Sequence, residues 1–289
     1  MRAAFEPVNP GEVPDSPEAY WEAEAEAYYA EHRLTLGDDR LVWCPEGLDE
    51  DQVHLLGDVR GRRLLEVGCG AAQGTRWAAA NGAQAVGLDL SAGMLRVAQR
   101  IGCDGFSLIQ ADAAALPFAP ASFDTVFSAF GALPHVASVA DVYQQVGRLL
   151  RPGGLWVLAT CHPFAWVFPD SPDPADLVVR RSYFDATPYT ERDDAARLVY
   201  VQWHNTVAGH FEGLIAAGFV IERVIEPEWP AAGVGGVGVA GGAVAGGVSA
   251  GGAAGGAADG EFAAWSRARG RLVPSSLIIS ARQIVTSDG

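Results

Sequence analysis

Apolar and polar positions between residues 62 and 160 follow two rhythms in turn. Short apolar runs at Arg62–Val67, Ala85–Leu90, Phe106–Ala111, Phe123–Ser128 and Leu155–Thr160 read as buried strands. Between them, Gly74–Asn81, Ala92–Arg100 and Val139–Leu150 carry helical spacing, the last ending at Arg151-Pro152-Gly153-Gly154. Strands separated by helices of this length imply parallel pairing through right-handed crossovers. The predicted class is therefore α/β. Upstream, Ser16-Pro17 reads as a helix cap and first helical residue. Trp21, Ala25, Tyr28 and Tyr29 then form an aromatic stripe beside Glu22, Glu24 and Glu26, a face expected to meet solvent. Residues 1–15 carry three prolines and no period, which predicts a loose arm.

The rhythm breaks after Thr160. His162–Asp176 is rich in proline and aromatics and reads as loop. Leu177–Phe184 and Arg197–Trp203 read as two strands of a hairpin-like insertion around Thr187-Pro188-Tyr189. Thr206–Ala217 returns as helix, stopped by Gly218, and Phe219–Glu226 and Ser276–Arg282 read as the sixth and seventh strands. Between these two lies a Gly/Ala/Val tract, residues 231–260, which holds thirteen of the 35 glycines and reads as a low-complexity loop.

Charge changes the picture of the partners. The chain has 289 residues, no lysine and a net charge of −15. Residues 1–61 hold fifteen acids and four arginines, so −11 of that charge belongs to the arm and first helix. No basic stripe is available for phosphates, which argues against nucleic acid as a partner. The sequence has no apolar run of membrane-spanning length, and its start lacks the apolar stretch of a signal peptide. Cys44, Cys69, Cys103 and Cys161 lack zinc-ligand or C-x-x-C spacing and read as free thiols of a cytoplasmic protein. The histidines form no metal-ligand cluster such as H-E-x-x-H. Oligomeric state is left open.

The chemistry is concentrated where Leu64–Val67 runs into Gly68-Cys69-Gly70. Glycines there allow close backbone approach to a ligand, and the following helix start offers unpaired N–H groups. A nicotinamide-cofactor protein would also place such a turn after its first strand, with an acid about twenty residues on. Asp89 follows Glu66 by 23 residues, so spacing alone does not decide. Residue 73, where the dinucleotide fingerprint places its third glycine, is Gln73, although the looser G-x-G-x-x-x-G pattern ending at Gly74 stays open. Glu66 would crowd a pyrophosphate, whereas its carboxylate suits a cationic group such as an amino-acid ammonium.

Four ordered landmarks then bring a family into view. Glu66-Val-Gly-Cys-Gly70, Gly87-Leu-Asp-Leu-Ser91 with Met94, Gln110-Ala-Asp112-Ala113 with Ser122-Phe-Asp124, and Leu149-Leu-Arg-Pro-Gly-Gly154 resemble the motifs of class I S-adenosylmethionine-dependent methyltransferases. The resemblance implies a Rossmann-like seven-stranded, mostly parallel sheet of order 3-2-1-4-5-7-6, with strand seven antiparallel and helices on both faces. It divides the chain into an acidic arm and cap helix (1–61) and a methyltransferase domain (62–289), with a substrate lid inserted at 161–205. By the same resemblance, Glu66 orients the methionyl ammonium while Gly68, Cys69 and Gly70 pass close to S-adenosylmethionine. Asp89 takes both ribose hydroxyls, and Leu90 and Met94 flank the adenine. Asp112 and Ala113 hydrogen-bond its edge, and Phe130 closes the site near the sulfonium. Asp124 has a structural part at the entry to strand four. Ala72 stands where the family usually has a third glycine, which is accommodated if residue 72 keeps a negative φ.

The implied reaction moves a methyl group to a small, hydrophobic or aromatic acceptor, and it needs chiefly alignment. Should the acceptor have to lose a proton, His135 after strand four and His162 after strand five are the candidate bases. Trp21, Tyr28, Phe164 and Trp166 are expected to form the acceptor pocket. Two other functions stay open: an NADP-dependent oxidoreductase, weakened because a chain without lysine has no Tyr-x-x-x-Lys pair, and a cofactor-binding protein without catalysis.

Overall fold

A computed structural model describes residues 2–8, 17–169, 171, 173–229 and 267–284. In chain order they form β1 (Arg2–Phe5), α1 (Pro17–Leu36), α2 (Glu50–Val53), β2 (Arg63–Val67), α3 (Gln73–Ala80), β3 (Gln84–Asp89), α4 (Ala92–Ile101), β4 (Phe106–Gln110) and β5 (Phe123–Ala129). There follow α5 (Val139–Leu149), β6 (Leu150–Cys161), β7 (Tyr189–Arg192), β8 (Leu198–Gln202), α6 (Val207–Ala216), β9 (Phe219–Ile225), α7 (Arg267–Gly270) and β10 (Ser276–Gln283).

Seven strands form one sheet in the order β4-β3-β2-β5-β6-β10-β9. β2, β3, β4, β5 and β6 run parallel, and β10 lies antiparallel to both β6 and β9. This is the order that the family resemblance implies. Successive residues of the central strands serve opposite faces. Leu65, Val67 and Val126 belong to the core under α5 and α6, whereas Leu64 and Phe127 belong to the core that Trp43, Leu55 and Trp77 share. Strands buried on both faces are continuously apolar, hence the short unbroken runs in the sequence. Asp124 ties β5 to its neighbours: it accepts from the Arg63 N–H at 2.8 Å and pairs with Arg151.

Several expectations are corrected. Arg2–Phe5 is not loose; it pairs with β7 as an outer strand of a second sheet, β1-β7-β8. The hairpin is Tyr189–Arg192 with Leu198–Gln202, and the 177–184 segment is turn and coil. Arg151–Gly154 lies inside β6, at a break in its register with β5, rather than before the strand. The glutamate face of α1 is not wholly solvated, since Glu22 and Glu26 pair with Arg96 and Arg100 of α4. Ala72 takes φ 62° and ψ 34°, a left-handed conformation rather than the negative φ expected. The Ser16 cap and the tract 231–260 lie outside the described residues. Among the described residues no helix is long and apolar enough to cross a membrane.

Candidate active site

The strand order reverses between β2 and β5, and in open α/β sheets ligands bind at the carboxyl ends beside such a switch point. A cavity of about 540 Å³ lies there, within the range of small-molecule sites. Glu66, Gly68, Cys69, Gly70, Asp89, Leu90, Met94, Asp112, Ala113 and Phe130 all line it, as do Trp21, Tyr28 and His135. Residues far apart in sequence thus converge on one hollow.

Local chain geometry explains the convergence. Gly68 has φ 73°, and a Cβ there would stand 2.5 Å from the Ala132 nitrogen, so the turn after β2 crosses the turn after β5 in direct backbone contact. Gly131 makes the reciprocal approach, a Cβ on it falling 2.1 Å from the Gly68 carbonyl oxygen. Between them Phe130, buried, adopts φ 58°, a strained conformation for a bulky residue and one that recurs at functional sites. Gly70 lacks the Cβ that would press on Met94, leaving the backbone bare to the hollow.

Asp89 closes the next strand end. Its Oδ2 accepts from the Gly70 N–H at 2.8 Å and its Oδ1 from the Ser91 N–H at 2.9 Å. It does not cap α4, a part that Ser91 takes through its hydroxyl to the Met94 N–H. Asp89 therefore clamps the glycine turn to the start of α4 and keeps lone pairs for a ligand. Burial raises its carboxyl above the usual range, opposed by the N–H groups of Ser91, Gly70 and Leu90.

Glu66 is buried at the cavity floor, where its Oε2 accepts from the Thr75 hydroxyl at 2.5 Å. Desolvation pushes its pKa up to about 8, with Thr75 drawing it the other way. Cys69 sets its sulfur against Gly87, and burial raises its thiol. Asp112 is exposed at the rim and its Oδ1 accepts from the Ala114 N–H at 2.8 Å. Trp21, Tyr28 and His32 lie along one stripe of α1; Tyr28 stacks on His32 at 4.2 Å and Trp21 meets His135 edge-on at 5.6 Å. His135 ends a 3-10 turn, Leu133–His135, and its Nδ1 lies 3.3 Å from the Val201 carbonyl oxygen.

Three of the expected site residues are placed elsewhere. His162 is held outside the cavity, with Nε2 2.8 Å from Glu226 Oε1 and Nδ1 accepting from the Phe164 N–H. Phe164 packs edge-on against Phe168, and Trp166 stacks on His204 at 5.2 Å. Antiparallel pairing of β1, β7 and β8 gathers an aromatic cluster, and Trp166 joins it edge-on to Phe5, which is half-exposed. Conversely, sequence reading missed His32, Arg40 and the Leu41–Pro45 wall. Arg40, whose Nε and Nη2 both reach Asp49 Oδ2, is the arginine among the lining residues. An irregular segment carries no period, so nothing local marked it.

A glycine turn and a clamped acid at the ends of adjacent parallel strands, opening on a cavity at the switch point, define a Rossmann-like cofactor-binding protein. Residues 65–158 match the family described as a methyltransferase domain. A malonyl-[acyl-carrier protein] O-methyltransferase of Enterobacter lignolyticus (strain SCF1) is 40% identical over 102 residues, 35% of this chain and 39% of that protein. A demethylmenaquinone methyltransferase of Mycobacterium sp. (strain KMS) is 30% identical over 198 residues, 61% of this chain and 82% of that protein. Among solved structures, an S-adenosylmethionine-dependent methyltransferase from Mesorhizobium loti is 29% identical with a TM-score of 0.57, covering 80% of this chain and 95% of that one. The chain spans half or less of the length of several curated relatives it matches. It belongs to the class I S-adenosylmethionine-dependent methyltransferases.

Proposed function

We propose that the protein transfers the methyl group of S-adenosylmethionine to a small-molecule acceptor by in-line displacement. The carrying observation is the convergence of Gly68, Gly70, Glu66 and Asp89 on the switch-point cavity. When bound, the cofactor supplies a methyl group already activated by its sulfonium. Asp89 receives the ribose hydroxyls on its remaining lone pairs, and Gly68 and Gly70 let the backbone approach. Leu90 and Met94 flank the adenine, and Asp112 and the Ala113 N–H read its edge. Glu66 faces the methionyl ammonium, and Arg40 is the group suited to the methionyl carboxylate. Phe130 excludes water beside the reacting atoms.

Alignment does most of the chemical work, since fixing reactants in geometry supplies roughly 7–11 kcal/mol. His135 is the base where the acceptor must lose a proton. Its Nδ1 lies 3.3 Å from the Val201 carbonyl oxygen and its ring meets Trp21 edge-on, which holds the imidazole at the cavity wall. Trp21 and Tyr28 form the acceptor wall. The Mycobacterium relative, named for demethylmenaquinone, supports a small-molecule acceptor. The test is methyl-labelled S-adenosylmethionine incubated with phenols, quinones, amines and carboxylates. Label on one class, with equal formation of S-adenosylhomocysteine, is expected; tight cofactor binding without turnover on any class would make the protein a binder only.

A further inference from the structure

Three consecutive acids, Asp49, Glu50 and Asp51, support the Leu41–Pro45 wall of the cavity. The segment from Arg40 to Glu50 folds back on itself. Val42 bridges Asp49, the Trp43 N–H donates to the Leu48 carbonyl at 2.7 Å, and the Glu50 N–H donates to the Leu41 carbonyl at 2.9 Å. The three acids, at the cap and first turn of α2, then each hold one piece of the surroundings. Buried Glu50 accepts from the Trp43 indole N–H at 2.8 Å, and Asp51 accepts from the Trp77 indole N–H of α3 at 2.7 Å. Asp49, 4% exposed, takes Arg40. Its Oδ1 accepts from the Asp51 N–H at 3.0 Å and caps α2, while its Oδ2 accepts from Arg40 Nε at 2.9 Å and Nη2 at 2.5 Å. Both oxygens of this buried carboxylate are thus engaged within the protein, as burial of a charge requires.

That grip decides which part of the guanidinium a ligand meets. Arg40 lines the cavity, and its side chain is 32% exposed. With Nε and Nη2 bonded to Asp49, Nη1 is the nitrogen that Asp49 does not engage. The place is the Glu66 end of the site. Leu41, next in the chain, sets its Cδ1 3.0 Å from where a Cβ on Gly74 would stand, and Glu66 Oε1 lies 2.5 Å from the same point. An amino-acid group carries its ammonium and its carboxylate on one carbon, so a ligand whose ammonium faces Glu66 brings its carboxylate close by. An arginine side chain ordinarily loses rotamer freedom on meeting a ligand, whereas one already held by a buried acid has lost that freedom in folding.

We propose that Asp49 is a positioning residue for the cofactor: by holding Nε and Nη2 of Arg40 it presents Nη1 to the carboxylate of the methionyl group. The inference rests on the methyltransferase reading and adds to it a residue that touches no ligand. Calorimetric titration of S-adenosylhomocysteine and of 5′-methylthioadenosine, which lacks the amino-acid end, into the parent, Asp49→Asn and Arg40→Lys tests it. Asn still accepts the Asp51 N–H as a cap but offers the guanidinium no charge. Lys keeps the charge at residue 40 and loses the fork. Each variant should bind S-adenosylhomocysteine about tenfold more weakly, the scale of one charge-assisted hydrogen bond, and 5′-methylthioadenosine as the parent does. Asp49→Asn added to Arg40→Lys should cost nothing more, since Asp49 acts through Arg40. Equal losses for the two ligands would make Asp49 a structural part of the wall and overturn the proposal. Unchanged S-adenosylhomocysteine affinity in Asp49→Asn, or in Arg40→Lys should Asp49→Asn not fold, overturns it as well. A parent protein that binds neither ligand would instead overturn the reading on which it rests.

Discussion

Binding of the cofactor should expel a proton from Glu66. Burial, opposed by Thr75, sets its pKa at about 8, so the free protein at pH 7 holds roughly ten protonated molecules for each ionised one. A methionyl ammonium beside the side chain favours the carboxylate. The acid is therefore protonated before binding and ionised after it, and low pH opposes binding. Ionising Glu66 costs about 1.4 kcal/mol at pH 7 and about 2.7 kcal/mol at pH 6, and almost nothing at pH 9. Affinity should weaken about tenfold for each pH unit below 8, with roughly 0.9 proton released from Glu66 at pH 7. Calorimetry in buffers of different ionisation enthalpy reads that release directly. Glu66→Gln keeps the shape, removes the titration, and should bind more weakly with a flatter pH profile. No release at pH 7, or the same release from Glu66→Gln, would refute the reasoning.

Three further outcomes are expected. Ala72 holds a left-handed φ of 62° that costs an L-residue roughly 1–2 kcal/mol, partly offset in glycine by unfolded-chain entropy. Ala72→Gly should therefore raise stability by about 0.5–1 kcal/mol in urea unfolding, and a loss would show that its methyl packs better than its backbone suffers. His135→Ala should lower kcat by about 10²–10⁴ with unchanged cofactor affinity where the imidazole takes the acceptor proton. His162→Ala, bonded to Glu226 outside the cavity, should leave kcat/KM unchanged, and the opposite pattern would exchange the two assignments.

Much of the main sheet was legible because each strand is a local apolar run bounded by glycine or an acid. Nine of the ten expected cofactor residues sit on the turns and strand ends after β2, β3, β4 and β5, and Met94 sits in the first turn of α4, so sequence spacing and spatial proximity coincide. Legibility failed where contacts span long distances. Arg2–Phe5 becomes a strand only because Tyr189–Arg192, nearly two hundred residues on, offers an edge. Val178 and Val179 resembled strand residues by type, yet both are exposed, at 48% and 63%. Phe164 and Trp166 were expected at the cavity by chain order after β6, but Trp166 packs against Phe5 of the second sheet and stacks on His204. Arg40 and its neighbours lie on a segment with no period, held by buried Asp49 and Glu50, whose partners no local pattern announces.

The central claim is that Asp89, clamping the Gly70 turn, holds S-adenosylmethionine in the switch-point cavity. Its most direct test is calorimetric titration of S-adenosylmethionine and NADPH into the protein and into Asp89→Ala. One-to-one binding of S-adenosylmethionine is expected, with no binding of NADPH and a loss of about 100-fold or more in the variant, the worth of two hydrogen bonds to a carboxylate. Binding of NADPH alone, or equal S-adenosylmethionine affinity in parent and variant, would contradict it.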